Sequence, residues 1–476
     1  MKKSIIVLVF ILSSIMVIDA EVCINGINYN LNNSALTAEV TVGDYSGSIA
    51  IPKTVNYRGN TYAVTAIGDS AFAFTSSYAV DLPNSIEFIG KSAFQDCKFS
   101  AIVIPNSVVA IGENAFFYTK LKEVNIPYSV SSIGEGAFNY CTDLTNISVD
   151  INNCNYCSVD GGLYNKDKSI LYAYPAAKTE QSLIIPNGVR RIANYAFICS
   201  HLKSIKIPNS VVEIGESAFS SSLLESIVIS SNILEIGELA FFDCRQMKQI
   251  VVDKSNPNYC SVDGVLFNKT QTELYAYPLN NPMSSYKVPS SVTTIGEYAF
   301  ACAPFLETVI LPNSLSKIKS NAFYSCPKLL KIEIPNNVNI IENRVFFRCL
   351  SLKEVILPEN IEKICEGTFL SCQSLKSIQI PYSVKIIEEW AFTWCSSLTS
   401  ITIPSNVIKI EDRAFSDCRG LEKIICETQA PPKLGRNVFD NIGEYICLYV
   451  PNGTVASYKA DDQWSKFRIY TTSGSF

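Results

Sequence analysis

A phenylalanine recurs at a nearly fixed interval through most of this chain of 476 residues, usually directly after an alanine. The interval is 22 residues up to Phe241 and 23 residues from Phe300 to Phe415, with two gaps of 59 residues and a last gap of 24. A period held this closely predicts a repeat protein, because each unit is one small element that buries its apolar face only by stacking on its neighbours. The positions are Phe72, Phe94, Phe116, Phe138, Phe197, Phe219, Phe241, Phe300, Phe323, Phe346, Phe369, Phe392, Phe415 and Phe439.

One repeat unit, residues 352–372, illustrates how the period translates into structure. Val355 and Leu357 are two residues apart, which predicts a strand with one buried face. The proline after the strand cannot donate to a ladder of hydrogen bonds and therefore ends it. A second apolar pair, such as Val211 and Ile214, leads into an Ile-Gly step where we expect a tight corner. The Glu-x-Ala-Phe segment then predicts a short helical or 3₁₀ turn that buries the phenylalanine.

Two longer gaps in the phenylalanine series contain a second kind of element. Residues 149–175 and 252–278 are alike, lie 103 residues apart and share a Ser-Val-Asp-Gly sequence typical of a hairpin turn. We predict two inserted β-hairpins that project from the repeats as lateral flaps. The ends of the chain lack the repeat, so we predict a β-rich cap over residues 21–65 and a C-terminal cap over residues 426–476. The repeats themselves are assigned to residues 66–425.

The composition argues for a folded chain that does not bind nucleic acid. Apolar residues make up 47% of the chain and charged residues 17%. The 39 basic and 44 acidic side chains give a net charge of −5, without long runs of one sign. Nucleic acids and anionic membranes both require clustered lysine and arginine, so neither is an expected partner.

The first 20 residues are typical of a secretory signal. Lys2 and Lys3 are basic, residues 5–12 are apolar, and Ala20 is a small residue before a possible cleavage site. We predict a signal peptide over residues 1–20 and export to the cell surface, the extracellular space or the periplasm. The alternatives are an N-terminal anchor helix, for which the apolar stretch is short, and lipidation of Cys23, whose preceding residues do not form the usual motif. No later segment is long and apolar enough to predict a membrane span.

The polar residues form no pattern that predicts catalysis. Residues 68–70, Gly-Asp-Ser, resemble a hydrolase nucleophile, but the same repeat column holds other residues elsewhere. His201 is the one histidine of the sequence, which argues against a histidine-based metal site and against a Ser-His triad. Cys154 and Cys157 have the spacing of half a zinc or redox motif, but the duplicated segment keeps only Cys260. We therefore predict a protein that is not an enzyme and has no cofactor, metal site or catalytic residue.

Cysteine is frequent, with 17 residues, and most of them occupy one column of the repeat. Neighbouring turns about 4.8 Å apart do not forbid a disulfide, but five cysteines in consecutive turns cannot all pair with one another. We favour buried free thiols that act as small hydrophobic residues. Cysteines that follow the repeated phenylalanine by three residues are Cys97, Cys141, Cys244, Cys326, Cys349, Cys372, Cys395 and Cys418, and Cys199 and Cys302 follow it by two.

The repeat resembles the strand of leucine-rich repeats and, more closely, the BspA-like repeat of bacterial and some protist surface proteins. The motif I-P-x-S-V-x-x-I-G-x-x-A-F-x-x-C is present from Ile126 to Cys141, and the resemblance covers about residues 49–470. It implies a right-handed leucine-rich repeat solenoid, with short parallel strands on a concave face and turns or 3₁₀ segments on a convex face. Members of this family are associated with surface adhesion, binding of host extracellular-matrix proteins and contact between bacteria.

We predict that a ligand binds the concave face, through residues that flank the buried isoleucine of the strands. These residues are Glu123, Asn125, Ser204, Lys206, Lys331, Glu333, Glu354, Ile356, Ser377, Gln379, Ser400 and Thr402. Aromatic residues beside the repeated phenylalanine are a second candidate surface, although such residues more often pack at an edge; they are Phe117, Tyr118, Tyr140, Phe242, Tyr324, Phe347 and Trp394. The predicted function is adhesion or interaction with host-matrix or other cell-surface proteins. The alternative is a carbohydrate-binding accessory protein of a glycan-acquisition system.

Overall fold

The computed structural model describes residues 20–443 and 445–472, so the predicted signal peptide lies outside the described residues except for Ala20. The described chain forms two compact units, residues 20–179 with 192–200 and residues 180–191 with 201–472. In each unit, short parallel β-strands from successive repeats pair side by side. The predicted fold class, a leucine-rich repeat solenoid of short parallel strands, is confirmed.

The first unit begins with a β-rich segment that precedes the first phenylalanine turn. Ile27–Asn32 pairs antiparallel with Ala20–Ile24 and with Thr37–Val40. Asn60–Ile67 pairs parallel with Thr37–Val40 and antiparallel with Thr54–Tyr57. The buried side chains of these strands belong to the same hydrophobic core as the first repeats.

The strands that carry the predicted two-residue alternation form what we call the long-strand ladder. Alternate residues of these strands are buried because one face of the ladder covers the core and the other is exposed. In the first unit the strands are Ser46–Ala50, Ser76–Asp81, Glu123–Ile126 and Asn146–Val149. In the second unit they are Ser182–Ile184, Ser204–Lys206, Ser226–Ile229, Gln249–Val252, Ser285–Lys287, Thr308–Ile310, Lys331–Glu333, Glu354–Ile356, Ser400–Ile403, Lys423–Cys426, Cys447–Val450 and Arg468–Thr471.

Within each unit, a second set of parallel strand pairs, which we call the short-strand ladder, forms where the sequence showed only an apolar pair before the Ile-Gly step. Its strands have two residues each, which is too short for an alternation pattern to predict them. They are Phe88–Ile89, Ala110–Ile111, Ser132–Ile133, Arg191–Ile192, Glu213–Ile214, Glu235–Ile236, Thr294–Ile295, Lys317–Ile318, Ile340–Ile341, Lys363–Ile364, Ile386–Ile387, Lys409–Ile410 and Lys433–Leu434.

The repeated phenylalanine lies in a third segment, the phenylalanine turn, and its ring stacks on the ring of the next repeat. The ring centroids of Phe323 and Phe346 are 5.5 Å apart, and the Phe323 amide donates to the carbonyl oxygen of Val345 at 3.0 Å. The residues two before and two after Phe323, Asn321 and Ser325, have φ of 56° and 53°. This alternation is incompatible with a helix, so the predicted helical or 3₁₀ segment is instead a hydrogen-bonded turn.

The glycine of the Ile-Gly step has a different role from the tight corner that we expected. A Cβ atom on Gly112 would lie 2.6 Å from the carbonyl carbon of Gly90, in the preceding repeat. No positive φ is found at Gly112, so the glycine is required by the close approach of two turns and not by an unusual backbone conformation.

The second duplicated insertion, in the second unit, is a three-stranded antiparallel meander. Val265–Asn268 pairs with Tyr259–Val262 and with Glu273–Ala276. Glu273–Ala276 also pairs parallel with the short strand Thr294–Ile295, which joins the meander to the short-strand ladder. We call these three strands the second meander; the corresponding strands of the first unit are Tyr156–Val159, Gly162–Asn165 and Ile170–Ala173.

Both meanders contribute to the hydrophobic core, so the prediction of projecting flaps is wrong. Phe267 and Leu274 of the second meander are fully buried, as is Leu171 in the first. A flap in solvent would expose these side chains, and their burial favours a meander packed against the repeats.

The C-terminal end closes the long-strand ladder of the second unit. Cys447–Val450 pairs parallel with Arg468–Thr471. The helix Val455–Ala460 and the 3₁₀ turn Trp464–Lys466 connect these two strands. Trp464 is fully buried and completes the core at this end.

Candidate functional site

The long-strand ladder of the second unit has one exposed side, which we call the long-strand face. In Thr308–Ile310, Lys331–Glu333 and Glu354–Ile356, the first and third residues are exposed and the middle residue is buried. Lys331 pairs with Thr308 and Glu354, so the first residues form one column; Glu333 and Ile356 pair in a second column. Like positions in neighbouring strands are about 4.8 Å apart, and the face therefore presents a closely spaced grid of side chains.

Most of the predicted ligand-binding residues are exposed on such strands. Glu123 and Asn125 are exposed in the first unit. In the second unit, Ser204, Lys206, Lys331, Glu333, Glu354 and Ile356 are exposed on strands, Ser377 and Gln379 are exposed in a segment that is not a strand, and Ser400 and Thr402 are half-buried. Their exposure is what a binding surface requires, and their role in binding stays a prediction.

The charged residues of the long-strand face pair with each other across neighbouring strands. Lys331 Nζ lies 2.6 Å from Glu354 Oε1, and both side chains are about half exposed. Lys248 and Glu225 form a similar pair at 2.7 Å, in which the hydrogen bond and the charge of Lys248 lower the pKa of the Glu225 carboxyl. Charges of both signs thus occur on or beside the face, which suits a partner with both polar and apolar groups better than a polyanion or a polycation.

Apolar β-branched residues are exposed on the same face, and the sequence analysis named only one of them, Ile356. Such side chains lose contact with water when a partner covers them, which makes them stronger binding candidates than the solvated polar residues. The sequence signal was available, because these residues occupy the same repeat column as Ile356. They are Ile184, Val228, Val251, Ile310 and Ile356, with exposed fractions of 69%, 58%, 39%, 49% and 41%.

The aromatic residues beside the repeated phenylalanine pack mainly on one another. In the second unit the ring of Tyr298 lies 5.1 Å from that of Phe242 and 6.1 Å from that of Tyr324, and Tyr324 lies 5.3 Å from Phe347. In the first unit Phe117 and Tyr140 are 5.2 Å apart. Mutual packing therefore accounts for much of this set, whereas Tyr118 and Trp394 are about half exposed.

The eight cysteines that follow the repeated phenylalanine by three residues are buried free thiols, and each donates a hydrogen bond as well as filling space, whereas Cys199 and Cys302 are only partly buried. The acceptor is the carbonyl oxygen of the phenylalanine in the preceding repeat, as in Cys372 Sγ to Phe346 O at 3.2 Å. Burial raises the pKa of Cys141 to about 11 and that of Cys244 to about 12, which keeps the thiol protonated as a donor. The same contact is made by Cys97, Cys141, Cys244, Cys326, Cys349, Cys395 and Cys418.

Within residues 68–70 the glycine is buried, Asp69 is exposed and Ser70 is partly exposed. Asp69 Oδ1 accepts a hydrogen bond from the backbone amide of Lys91 at 2.7 Å, so this carboxylate links two successive turns. His201 is exposed. Within residues 20–443 and 445–472, no group of three or more histidine, cysteine, aspartate or glutamate side chains has a metal-binding arrangement. The same part of the chain contains no helix with the length and hydrophobicity of a membrane span.

Comparison with family models identifies the repeat. The model described as BspA type Leucine rich repeat region, in six copies, matches residues 64–160, 172–271, 270–398 and 362–459. These matches cover most of the chain and both of its units. No curated protein sequence matches it.

Several solved bacterial structures are similar to this chain. A leucine-rich repeat protein from Eubacterium ventriosum is 20% identical, with 89% of this chain and 95% of that chain covered and a TM-score of 0.53, which is a likeness of fold. A leucine rich cell surface protein from Faecalibacterium prausnitzii is 27% identical over 86% of this chain and 94% of that chain, with a TM-score of 0.46. A leucine-rich repeat protein from Bacteroides ovatus is 22% identical over 95% and 100%, with a TM-score of 0.41.

Proposed function

Because this chain belongs to the BspA type leucine rich repeat family, we propose that it is an exported, non-enzymatic protein that binds other proteins through its long-strand face. The observation that carries this proposal is the recurrence of exposed branched apolar residues, such as Ile310 and Ile356, on that face. A single exposed isoleucine is ordinary, but several in one repeat column form a surface that gains free energy when a protein partner covers it. The neighbouring charges of Lys331 and Glu333 would fix the orientation of that partner.

We propose that the partners are host extracellular-matrix proteins or other cell-surface proteins, and that the basic and apolar residues of segment 1–20 direct export. Adhesion then follows from the ladder itself, since a repeated grid can hold an extended partner at several repeats at once.

The test is a binding array of matrix proteins, bacterial surface proteins and glycans, probed with the full chain. The variant Ile310→Asp/Ile356→Asp places two charges on the long-strand face. The matched control is Ile408→Asp, because Ile408 is 65% exposed but lies beside the short strand Lys409–Ile410. We expect saturable binding to at least one protein, lost in the double variant and retained in the control. Equal binding by both variants, or no saturable binding of any protein, contradicts the proposal.

The second candidate function, carbohydrate binding, is favoured by one specific observation. Trp394 is 51% exposed and lies with Trp390, Asp417 and Asn441 along a groove of the phenylalanine turns. An exposed indole ring beside carboxylate and amide groups offers both a stacking surface and hydrogen-bond partners for a sugar. On the same array, Trp394→Ala would abolish glycan binding and leave protein binding unchanged if this candidate is right.

A further inference from the structure

A cleft with a volume of about 160 Å³ lies beside the second meander, apart from the long-strand face. Four tyrosines from the meander and from the following phenylalanine turn form much of its wall: Tyr259, Tyr275, Tyr277 and Tyr298. Cavities of about 150 Å³ accommodate a group of about six non-hydrogen atoms. The cleft is therefore large enough for one amino-acid side chain or a comparable small group.

The deepest of these tyrosines has an unused polar group. Tyr277 is 4% exposed, and its ring packs 5.3 Å from Phe300 and 5.2 Å from Tyr286. Its hydroxyl group is buried and has no hydrogen-bond partner among the described residues. By contrast, Tyr259 accepts a hydrogen bond from the amide of Ile236 at 2.9 Å. A buried hydroxyl without a partner is destabilising, and a polar group bound in the cleft could supply the missing hydrogen bond.

The charged groups of the cleft are mostly negative. Lys319 Nζ lies 2.7 Å from Glu273 Oε1 and neutralises that carboxylate. Glu238 and Glu297 line the same cleft, are exposed, and form no ion pair within the described residues. Asp243, which also lines the cleft, is paired with Arg245 at 2.7 Å. Two carboxylates therefore remain without a cationic partner at the opening of an aromatic cleft.

The pKa of Glu297 is raised by burial and, to a smaller extent, by neighbouring carboxylates. Partial burial, and then the charges of Glu238 and Glu342, raise the pKa of Glu297, although Lys319 opposes the shift. A second cation in the cleft would reduce the repulsion between these carboxylates. Lys319 already demonstrates that an ammonium group on an aliphatic stem fits against a carboxylate of this cleft.

The duplicated block of the first unit shows which residues of the cleft are common to both meanders and which are not. Tyr156, Tyr172, Tyr174 and Tyr195 occupy the positions, 103 residues earlier, of the four tyrosines of the cleft. Ile170 and Asn194 occupy the positions of Glu273 and Glu297. The tyrosines therefore accompany the meander in both copies, and Glu238 has a counterpart in Glu135, whereas Glu273 and Glu297 are present only in the second copy.

We propose that this cleft binds a lysine or arginine side chain of a partner polypeptide. The aliphatic stem would lie along the tyrosine rings, the cationic head would pair with Glu238 and Glu297, and the tyrosine faces would add cation–π attraction. An anionic ligand would meet two unpaired carboxylates and no unpaired cation. A neutral sugar would leave those carboxylates without charge compensation.

The experiment titrates the full chain with Nα-acetyl-lysine methylamide and Nα-acetyl-arginine methylamide, using ligand-observed NMR. Nα-acetyl-norleucine methylamide, which keeps the stem without the charge, is the neutral comparison, and glucosamine presents an ammonium group on a sugar ring. We expect saturable binding of a cationic amino-acid derivative and binding at least about tenfold weaker for the norleucine derivative.

Variants then locate the site. Glu238→Gln/Glu297→Gln keeps the size of both side chains and removes the charge, and should weaken binding by at least about tenfold. The matched control Glu359→Gln/Glu362→Gln removes two charges from exposed positions outside the cleft and outside the predicted ligand-binding residues, and should leave binding unchanged. Circular dichroism verifies that each variant is folded; the substituted residues are all exposed.

Three results would overturn this inference: equal binding of the norleucine derivative, unchanged binding in Glu238→Gln/Glu297→Gln, or binding of glucosamine without binding of either amino-acid derivative. Absence of any saturable binding would overturn it as well. None of these results bears on the long-strand face, because the array experiment with Ile310→Asp/Ile356→Asp tests that face separately.

Discussion

The thiol of Cys349 donates a hydrogen bond to the carbonyl oxygen of Phe323, 26 residues earlier, at 3.0 Å. Both residues are fully buried, and the bond joins the phenylalanine turns of two successive repeats. At most positions of this column the carbonyl oxygen also accepts from a backbone amide three residues later, as Phe346 O does from the Cys349 amide at 3.1 Å, and the thiol of the next repeat adds a second hydrogen bond. The cysteine column is therefore a set of hydrogen-bonded ties between repeats and also part of the apolar core.

Replacing Cys349 by alanine should destabilise the chain by about 1–3 kcal/mol, because the Phe323 carbonyl loses its donor and a small cavity forms. Cys349→Ser should cost less, since a hydroxyl group can still donate. The measurement is the urea midpoint of each variant, with Cys154→Ala as the control because Cys154 is exposed. If alanine and serine destabilise equally, the hydrogen bond does not contribute.

Replacing Gly112 by alanine should destabilise the chain more than the addition of a single methyl group usually does. The added Cβ would lie 2.6 Å from backbone atoms of the preceding turn, which cannot move without disturbing the stack, and we expect a loss of at least about 2 kcal/mol. Gly443→Ala is the matched control, because its Cβ would meet only one atom, at 3.4 Å. Thermal unfolding of the two variants distinguishes close approach from a general effect of losing glycine.

The free energy of unfolding should fall as the pH rises above about 9. In the folded chain burial raises the pKa of Cys244 from 9.0 to about 12, whereas the thiol of the unfolded chain keeps the ordinary value. The resulting stabilisation is complete below pH 9 and is lost as the pH rises toward 12, because the unfolded chain then releases the proton first.

Urea titrations between pH 8 and about pH 10 measure this effect, with Cys244→Ser as the comparison, because a serine does not titrate in this range. Burial also raises the pKa of Tyr277, from 10.0 to about 12, so tyrosines add to the loss at higher pH. A variant that loses stability as steeply as the parent chain between pH 8 and 10 would indicate that the buried thiol is not responsible.

The parts of the fold that the sequence predicted correctly are those with strong apolar periodicity. Val355 and Leu357 lie two residues apart and form one buried strand face, and the repeated phenylalanine is in the core. The short-strand ladder was missed because two residues do not make a period. The turn conformation was missed because its positive-φ positions are occupied by residues as different as Asn321, Arg344 and Trp390, so no residue type marks them.

The sequence predicted which residues of the candidate site are exposed, but not how strongly each would contribute to binding. The repeat column identified exposed residues such as Glu333 and Glu354, because exposure follows from strand alternation alone. The cleft of the second meander was not predicted, since it needs the pairing of Glu273–Ala276 with Thr294–Ile295, which brings together residues far apart in sequence. Hairpin patterns predict a turn but not the surface against which the hairpin packs.

The ion pair between Lys331 and Glu354 offers a test that separates binding from stability. Both side chains are about half exposed, so solvent screens their attraction, and Lys331→Ala should change the free energy of unfolding by less than about 0.5 kcal/mol. If the long-strand face binds a protein partner, the same substitution should weaken that binding measurably, because the strand of Lys331 lies between the strands that carry Ile310 and Ile356. Surface plasmon resonance with a partner from the array measures the change in binding affinity. A large loss in the free energy of unfolding would show that the ion pair stabilises the fold instead.

The C-terminal segment provides the last prediction, because Trp464 joins it to the final repeats. The Trp464 ring lies 5.6 Å from that of Phe439 and 5.6 Å from that of Tyr458, and its Nε1 donates to the carbonyl oxygen of Pro432 at 2.9 Å. Trp464→Ala should cost about 3–5 kcal/mol, since it removes a large fully buried side chain and a hydrogen bond.

If residues 426–476 act as a cap, this loss should also expose the end of the long-strand ladder to pairing with other chains. Light scattering of Trp464→Ala should then show concentration-dependent association below its unfolding midpoint. Tyr445→Ala is the control, because Tyr445 belongs to the same segment but is 68% exposed. An unprotected row of backbone donors and acceptors at a sheet edge drives pairing with other chains. If Trp464→Ala is destabilised yet remains monomeric, the segment supports the core but does not protect the edge of the ladder.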